Sequence, residues 1–298
     1  MKINRFDIDF INVDTNNISE NLSTLGHKYP AFFPVFITDV LMMNLDDTLG
    51  NTQQISDFLR NKIFIDVNKQ VTKELKDVNS IEKELSTAFS YIKHYFPDLK
   101  IPDIYFFVSG FNLKSLINDS IIGIGSDLFL GADYQLYGDI AHEYQIPNMR
   151  KEMIVSDIIN NFLHEKFLFN GEINLLNLMI YEGKIMFLIN EFTDLNEDLA
   201  IGYSKEELSW CNKHERQIWS SIIEQKHLYT TDYFTVNQYI NIAPFTSPIS
   251  QESPGRLGIW VGWQIVKNYM RNNENISLRD LMQNEDYQSI LENSHYRP

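Results

Sequence analysis

The stretch SIIGIGSDLFL, residues 120–130, decides the fold class of this chain. Its isoleucines, with Gly123 and Gly125 at alternate positions, are typical of a β-strand. Because glycine weakens a strand interior and often marks a bulge, we expect this strand at an edge of its sheet. A second β-prone run, IYFFV at residues 104–108, precedes it. The two runs predict a small antiparallel or mixed sheet.

Helical patterns flank these strands on both sides. YPAFFPVF, residues 29–36, predicts a helix that reaches about Met43. NSIE, residues 79–82, has the form of a capping box and opens an amphipathic helix that ends before Pro97. From about residue 149 the pattern is helical almost to the end, with further capping boxes at Ser204 and Ser277. The order predicts an α+β fold, predominantly helical, with a small sheet.

Composition limits the classes of function. The sequence has no internal repeat, low-complexity tract or long linker, so we expect one continuous domain over residues 1–298. The formal net charge of -15 disfavours a nucleic-acid partner. The single cysteine, Cys211, excludes an intramolecular disulfide and a thiolate metal cage within one chain. Its place beside Trp210 in a predicted helix favours a buried, inert thiol.

We expect no signal peptide within MKINRFDIDF, residues 1–10, because it contains acidic residues where an apolar run would be needed. No stretch approaches the roughly 18 to 20 apolar residues that span a bilayer. Two explanations stay open, a native cytoplasmic start or a mature domain that begins after a removed leader.

Three histidines precede a glutamate, but none completes the H-E-x-x-H pattern of zinc peptidases. That motif needs a second histidine four positions on, so that both imidazoles face one ion. The positions in question hold apolar residues: Ile146 after His142, Leu168 after His164 and Ile218 after His214. The sequence also lacks a G-x-S-x-G nucleophile turn, a P-loop and a dinucleotide-binding fingerprint.

The helix around SDIINNFLHEKF, residues 156–167, has an apolar stripe and a polar side. Ser156, Asp157, Asn160 and His164 lie on the polar side, which faces either solvent or a cleft. Two other segments allow a functional and a structural interpretation. Arg256 and Trp260 form either a recognition surface or an ion pair beside a core tryptophan, and Glu182 lies either in a site or in a buried ion pair with Arg or Lys.

Several long segments, spread from residue 2 to residue 298, resemble the GldB family of gliding-motility lipoproteins of Bacteroidetes. The segments are KINRFDIDF, YPAFF, YFFVSGFN, IGIGSDLFLG, LLNLMIYEGKIMFL, IGYSKEELSWCNKHERQIW, APFTSPISQESPGRLGIWVGWQIVKNYM and SHYRP. The resemblance implies a cell-envelope lipoprotein, periplasm-facing or at the surface, with envelope protein partners. Family members are anchored by a lipidated cysteine, which this chain lacks near its start. A truncated mature domain is therefore the preferred explanation. The resemblance implies membrane contact only through the lipid anchor, which this sequence does not include.

The family is also distantly similar to a group of predicted zinc peptidases in which an E-G dipeptide supplies a third ligand after H-E-x-x-H. There an antiparallel edge strand precedes the motif helix, and the third-ligand helix follows. The resemblance places Ser156 and Asp157 in the His-Glu slots, Asn160 in the second His slot and Glu182 at the third-ligand site. It implies a zincin-like scaffold with a vestigial cleft, to which His164 could contribute, and with neither metal nor cofactor.

We therefore expect a non-enzymatic envelope protein with a role in gliding motility or the associated secretion machinery through protein contacts. One alternative is a metallopeptidase with an unconventional site around Asp157, Asn160, His164 and Glu182. Another is a peptide- or glycan-binding module that uses the vestigial cleft. The sequence leaves the oligomeric state open.

Overall fold

A computed structural model describes residues 1–298, which are 59% helical and include one four-stranded mixed sheet. The prediction of an α+β fold is thus confirmed. The chain divides into two compact units, the first of residues 1–86 and 100–158, the second of residues 87–99 and 159–298. One continuous domain stays a prediction. Two helices contribute residues to both units, α6 (Asn79–Tyr95) and α8 (Ile154–Lys166).

The first unit combines the sheet with short helices. Its strands are β1 (Ile3–Asn4), β2 (Asp103–Phe107), β3 (Ser115–Ile117) and β4 (Ile121–Gly125). Its helices are α1 (Phe6–Ile11), α2 (Ile18–Lys28), α3 (Phe32–Val35), α4 (Thr48–Arg60), α5 (Lys62–Glu74) and α7 (Tyr137–Ile140), with one π-helical turn at Phe36–Val40 and 3-10 turns at Ser126–Leu128, Ile146–Asn148 and Lys151–Met153.

The glycine-bearing strand β4 lies inside the sheet, so the edge position predicted for it is wrong. The strand order is β1-β2-β4-β3, with β2 parallel to β1 and β4, and β3 antiparallel to β4. The glycines serve close packing instead. A Cβ on Gly123 would lie 2.8 Å from Leu116 Cγ, and one on Gly125 would lie 2.3 Å from the Leu113 carbonyl oxygen. Glycine is needed at both positions because other residues of the same chain pack directly against the strand there.

Two predictions about helix ends in this unit need correction. The helix from YPAFFPVF ends at Val40 rather than near Met43, because the chain turns into a left-handed conformation at Met42, with φ 55°. The capping box at residues 79–82 does not form, since Asn79 is itself the first residue of α6. Glu82 accepts a hydrogen bond from the Ile3 amide of β1 instead, at 2.9 Å. A long-range partner has replaced the local one.

Aromatic rings dominate the core of the first unit. Phe6 and Phe10 of α1 pack against Phe36, and Phe32 stacks on Tyr105 of β2 with ring centroids 4.4 Å apart. The core explains the aromatic-rich N-terminal third of the sequence, because each ring removes a large apolar area from water.

The second unit is helical. Its helices beyond α6 and α8 are α9 (Leu175–Phe192), α10 (Glu197–Ile201), α11 (Lys205–Glu224), α12 (Tyr233–Ile240), α13 (Leu257–Asn272), α14 (Leu278–Gln283) and α15 (Tyr287–Ser294). The capping boxes predicted at Ser204 and Ser277 both form, with Glu207 and Asp280 as their acidic members. Cys211 is buried, as predicted, and burial raises the pKa of its thiol.

Two glycines allow α9 and α13 to pack backbone against backbone. A Cβ on Gly262 would lie 1.7 Å from the Met179 carbonyl oxygen, and one on Gly183 would lie 2.3 Å from the carbonyl of Gly262. Neither position leaves room for any side chain. Gly183, the second member of the E-G dipeptide, is therefore explained by helix packing alone.

Candidate functional site

Helix α8 carries the polar residues that the sequence marked as candidates. Ile154, Ile158, Phe162 and further apolar residues form its buried stripe. Ser156 is buried as well, at 4% exposure, whereas Asp157, Asn160 and His164 are partly buried. The polar side of the helix thus lies partly within the protein, where polar groups need partners.

His164 is paired with Glu182 of α9, a contact that the sequence analysis did not predict. The imidazole Nε2 lies 3.1 Å from Glu182 Oε2 and 3.2 Å from Oε1. The imidazole Nδ1 lies 2.9 Å from the backbone carbonyl oxygen of Asn160, one turn earlier in α8. Tyr181 packs edge-on against the ring, with centroids 5.8 Å apart. Glu182 is thus in a partly buried pair, with a histidine as its partner rather than the Arg or Lys considered from the sequence.

This geometry favours the doubly protonated form of His164. Carbonyl and carboxylate oxygens only accept hydrogen bonds, so both ring nitrogens must donate to satisfy their partners. Burial lowers the pKa of His164 and nearby Arg256 lowers it further, but the hydrogen bond and charge of Glu182 outweigh both and raise the pKa above its usual 6.5. An imidazolium has no free lone pair to offer a metal ion.

Asp157 has a separate partner in the first unit. Its Oδ2 lies 2.8 Å from Lys114 Nζ, an ion-pair contact without hydrogen-bond alignment. The same ammonium group lies over the Phe129 ring, 5.3 Å from its centroid. The carboxylate that the resemblance places in the catalytic slot is therefore neutralised by a lysine.

The structure gathers no group of three or more His, Cys, Asp or Glu side chains that could hold a metal ion. Of the five cleft candidates, it brings His164 and Glu182 into direct contact, with the backbone of Asn160. The arrangement can stabilise two helices and hold a proton on an imidazole, which are electrostatic and structural roles.

Trp260 cannot belong to a recognition surface, because its side chain has 0% exposure. It lies in α13 with Trp263, which is also fully buried, so the core interpretation holds for both rings. Arg256 occupies a left-handed position before α13, with φ 61°, and donates from Nη1 to the Ile201 carbonyl at 2.9 Å. It fixes the entry to the helix by bonding to backbone.

Three buried charged residues were not predicted from the sequence, Asp7, which pairs with Arg5, and also Asp127 and Lys184. Asp127, directly after β4, accepts from the backbone amides of Ser109 at 3.1 Å and Phe111 at 2.7 Å, while its other oxygen has no partner in the chain. Lys184 of α9 donates to the Asn284 carbonyl, and burial lowers its pKa to about 8. The available signal was a charged residue inside an apolar run, in GSDLFL and EGKIMF.

The chain is a helix-dominated α+β protein in which a His-Glu pair joins α8 to α9. A family model described as gliding motility protein GldB matches residues 1–298, and the chain belongs to this family. No curated protein and no solved structure matches it significantly.

Family membership supports a gliding-motility-associated lipoprotein and implies a location in the cell envelope. No helix of the structure has both the length and the apolar character needed to cross a membrane.

Proposed function

We propose that this protein is a non-enzymatic component of the cell envelope that supports gliding motility, or the associated secretion machinery, through contacts with envelope proteins. Its scaffold retains the order of a zincin-like fold, with β4 followed by α8 and by the Glu182-Gly183 pair of α9, and has lost the ligands. The interior position of β4 departs from that pattern, in which the strand lies at an edge.

One observation carries the proposal. Both ring nitrogens of His164 face hydrogen-bond acceptors within the chain, Glu182 and the Asn160 carbonyl, an arrangement that favours the doubly protonated ring over a metal ligand. The carboxylate in the would-be catalytic slot, Asp157, is likewise engaged, by Lys114. Groups that are paired within the chain hold α8 in place, which is what a binding scaffold requires.

The competing function is a metallopeptidase built on the same residues, because His164 and Glu182 do converge. Purified protein would be incubated with excess zinc, dialysed, and assayed for bound metal and for casein hydrolysis. We expect less than about a tenth of an equivalent of zinc and no hydrolysis, since a stable catalytic site normally needs three protein ligands. Stoichiometric zinc, or hydrolysis that disappears in Glu182→Gln, would overturn the proposal.

A cellular test addresses the proposed role directly. In a gliding strain that lacks this gene, we expect His164→Asn to restore motility as well as the unmodified protein does, at equal protein level. The reason is that a scaffold needs the fold of α8 and not the chemistry of the imidazole. Motility that fails although the variant is folded and present in the envelope would contradict a purely structural use of His164.

A further inference from the structure

The chain carries an uncharged, aromatic surface on α12. We define the α12 face by the outward residues of that helix and its immediate C-terminal flank: Tyr233, Phe234, Asn237, Gln238, Asn241 and Ile242. The four helical members fall on one side because positions three and four apart are neighbours on a helix, while Val236 and Tyr239 point into the core. Asn241 and Ile242 follow the helix end and are exposed as well. Tyr233 is 71% exposed and Phe234 is 77% exposed.

The surface extends beyond the helix. The Leu175 amide donates to the Thr230 carbonyl at 3.1 Å and the Leu176 amide to the Leu228 carbonyl at 2.9 Å, so the start of α9 runs beside the segment that leads into α12. Ile173 and Tyr229, both more than half exposed, lie on these two adjoining segments.

Absence of charge distinguishes this surface. Charged residues make up 22% of the sequence, yet between Lys226 and Glu252 the only one is Asp232. Asp232 caps α12, with Oδ2 accepting from the Thr235 amide at 2.8 Å. On the adjoining segment Ile173 has Glu172 beside it, so the uncharged part of the surface is the α12 face itself. Leu49, by contrast, has Asp46 and Asp47 beside it. Depletion of charge together with exposed aromatic rings is the composition of the core of a protein interface.

We infer that the α12 face is a contact between two copies of this chain, related by a two-fold axis. A two-fold contact must be complementary to itself. Aromatic rings can stack on their own kind, and the amides of Asn237, Gln238 and Asn241 each donate and accept, so the face meets this condition. Elsewhere the net charge of -15 opposes the approach of two copies.

A lipid surface fits this face less well. Interfacial helices usually combine apolar residues with Lys or Arg that attract anionic headgroups. Residues 227–251 contain no Lys or Arg, and three amides lie among the apolar side chains of the face.

The size of the surface sets the expected affinity. Each exposed apolar side chain presents on the order of 100 Å², so the whole surface is on the order of 500 Å². A stable interface buries about 800 Å² per partner. We therefore expect a weak dimer, with a dissociation constant of about 10–100 µM. Salt should strengthen it, because screening reduces repulsion between the acidic bodies without affecting uncharged contacts.

Sedimentation velocity on the purified chain, up to about 200 µM and at low and moderate salt, tests the inference. Phe234→Glu should weaken the dimer at least about 30-fold, since it places a charge in an uncharged face on both copies. Asn237→Asp should weaken it as well and leaves every aromatic ring in place. Leu49→Glu is the matched control, because Leu49 is also an exposed second residue of a helix and the change in charge is identical.

Loss of the dimer in the two α12 variants, but not in the control, supports the inference if circular dichroism shows that all three are folded. A monomer throughout the concentration range overturns it, as does a dimer that all variants keep or that all lose alike. Phe234-dependent binding to phosphatidylcholine vesicles by a monomeric protein overturns it too and assigns the face to lipid. The dimer goes beyond the proposed function, and its test involves neither zinc nor hydrolysis. The dimer and the proposed function can therefore be refuted independently of each other.

Discussion

Single residues in this protein acquire their properties from partners that are distant in sequence. His164 is the clearest case, because its carboxylate partner is Glu182 on another helix and not Glu165 beside it. Asp127 is held by amides of Ser109 and Phe111, which lie before β3. The pKa of each group is raised above its ordinary value, that of His164 through Glu182 and that of Asp127 through burial, and both shifts can be tested by titration.

Removing the carboxylate beside His164 should lower the pKa of the imidazole. In Glu182→Gln the charge that outweighs burial is gone, so the pKa should fall below its value in the unmodified protein, where it is raised. A group with a raised pKa contributes stability below its ordinary pKa of 6.5 and loses it as pH rises through the raised value. NMR titration of the ring protons measures the shift. Glu165→Gln is the control with the same change of charge, and an equal effect there would refute the pairing.

Asp127 should make the protein less stable as pH rises from about 4 to neutral. Burial raises the pKa of Asp127 to about 6, although backbone hydrogen bonds partly offset the effect. The folded state therefore binds this proton more tightly than the unfolded chain, whose aspartate has a pKa near 3.8. The contribution is complete below that value and is lost as pH rises through about 6, amounting to at most about 3 kcal/mol.

Chemical unfolding at several pH values, with Asp127→Asn as the comparison, isolates this contribution. The asparagine keeps an oxygen for the amides of Ser109 and Phe111 and cannot ionise. As pH rises, the free energy of unfolding of Asp127→Asn should therefore increase relative to that of the unmodified protein. Parallel pH profiles for the two proteins would show that Asp127 does not titrate in this range.

Elements pack in this protein where glycine removes the side chain between them. The α9–α13 contact depends on Gly183 and Gly262, and β4 depends on Gly123 and Gly125. The sequence suggested a ligand motif for Glu182-Gly183 and an edge strand for β4. In both cases the glycines are explained instead by another segment of the same chain that packs closely against them.

Gly262→Ala should separate α9 from α13. The new methyl group would lie 1.7 Å from the Met179 carbonyl oxygen, and backbone cannot move away as a flexible side chain can. We expect a loss of about 3 kcal/mol or more in the free energy of unfolding, measured by denaturant titration. Gly138→Ala is the control, since a Cβ there meets nothing within 4 Å, and its effect should stay within about 1 kcal/mol. A tolerated Gly262→Ala would contradict the close packing of the helices.

The whole molecule is strongly acidic, and this charge should limit its stability near neutral pH. The net charge is -15, so self-repulsion opposes the compact state. Raising the salt concentration from about 20 to 300 mM should raise the unfolding midpoint by a few degrees, because it shortens the range of repulsion. Near the sequence pI of 4.8 the same salt step should have little effect. Scanning calorimetry at the two pH values measures the unfolding midpoint at low and high salt. A midpoint that falls with salt near pH 7 would contradict the expectation.

The sequence by itself determined the α+β class, the capped helices α11 and α14, the burial of Cys211 and the family, because these follow from local periodicity, capping residues and long matching segments. Tertiary structure decided the interior place of β4, the pairing of His164 with Glu182, the burial of Trp260 and the role of Gly183. Each of these depends on which distant segment lies alongside, and contacts between distant segments leave no periodic mark in a single sequence. A vestigial metal site on helix α8, from which the ligands have been lost, stays a prediction. The structure adds that His164 and Glu182, two of its candidate residues, pair with each other.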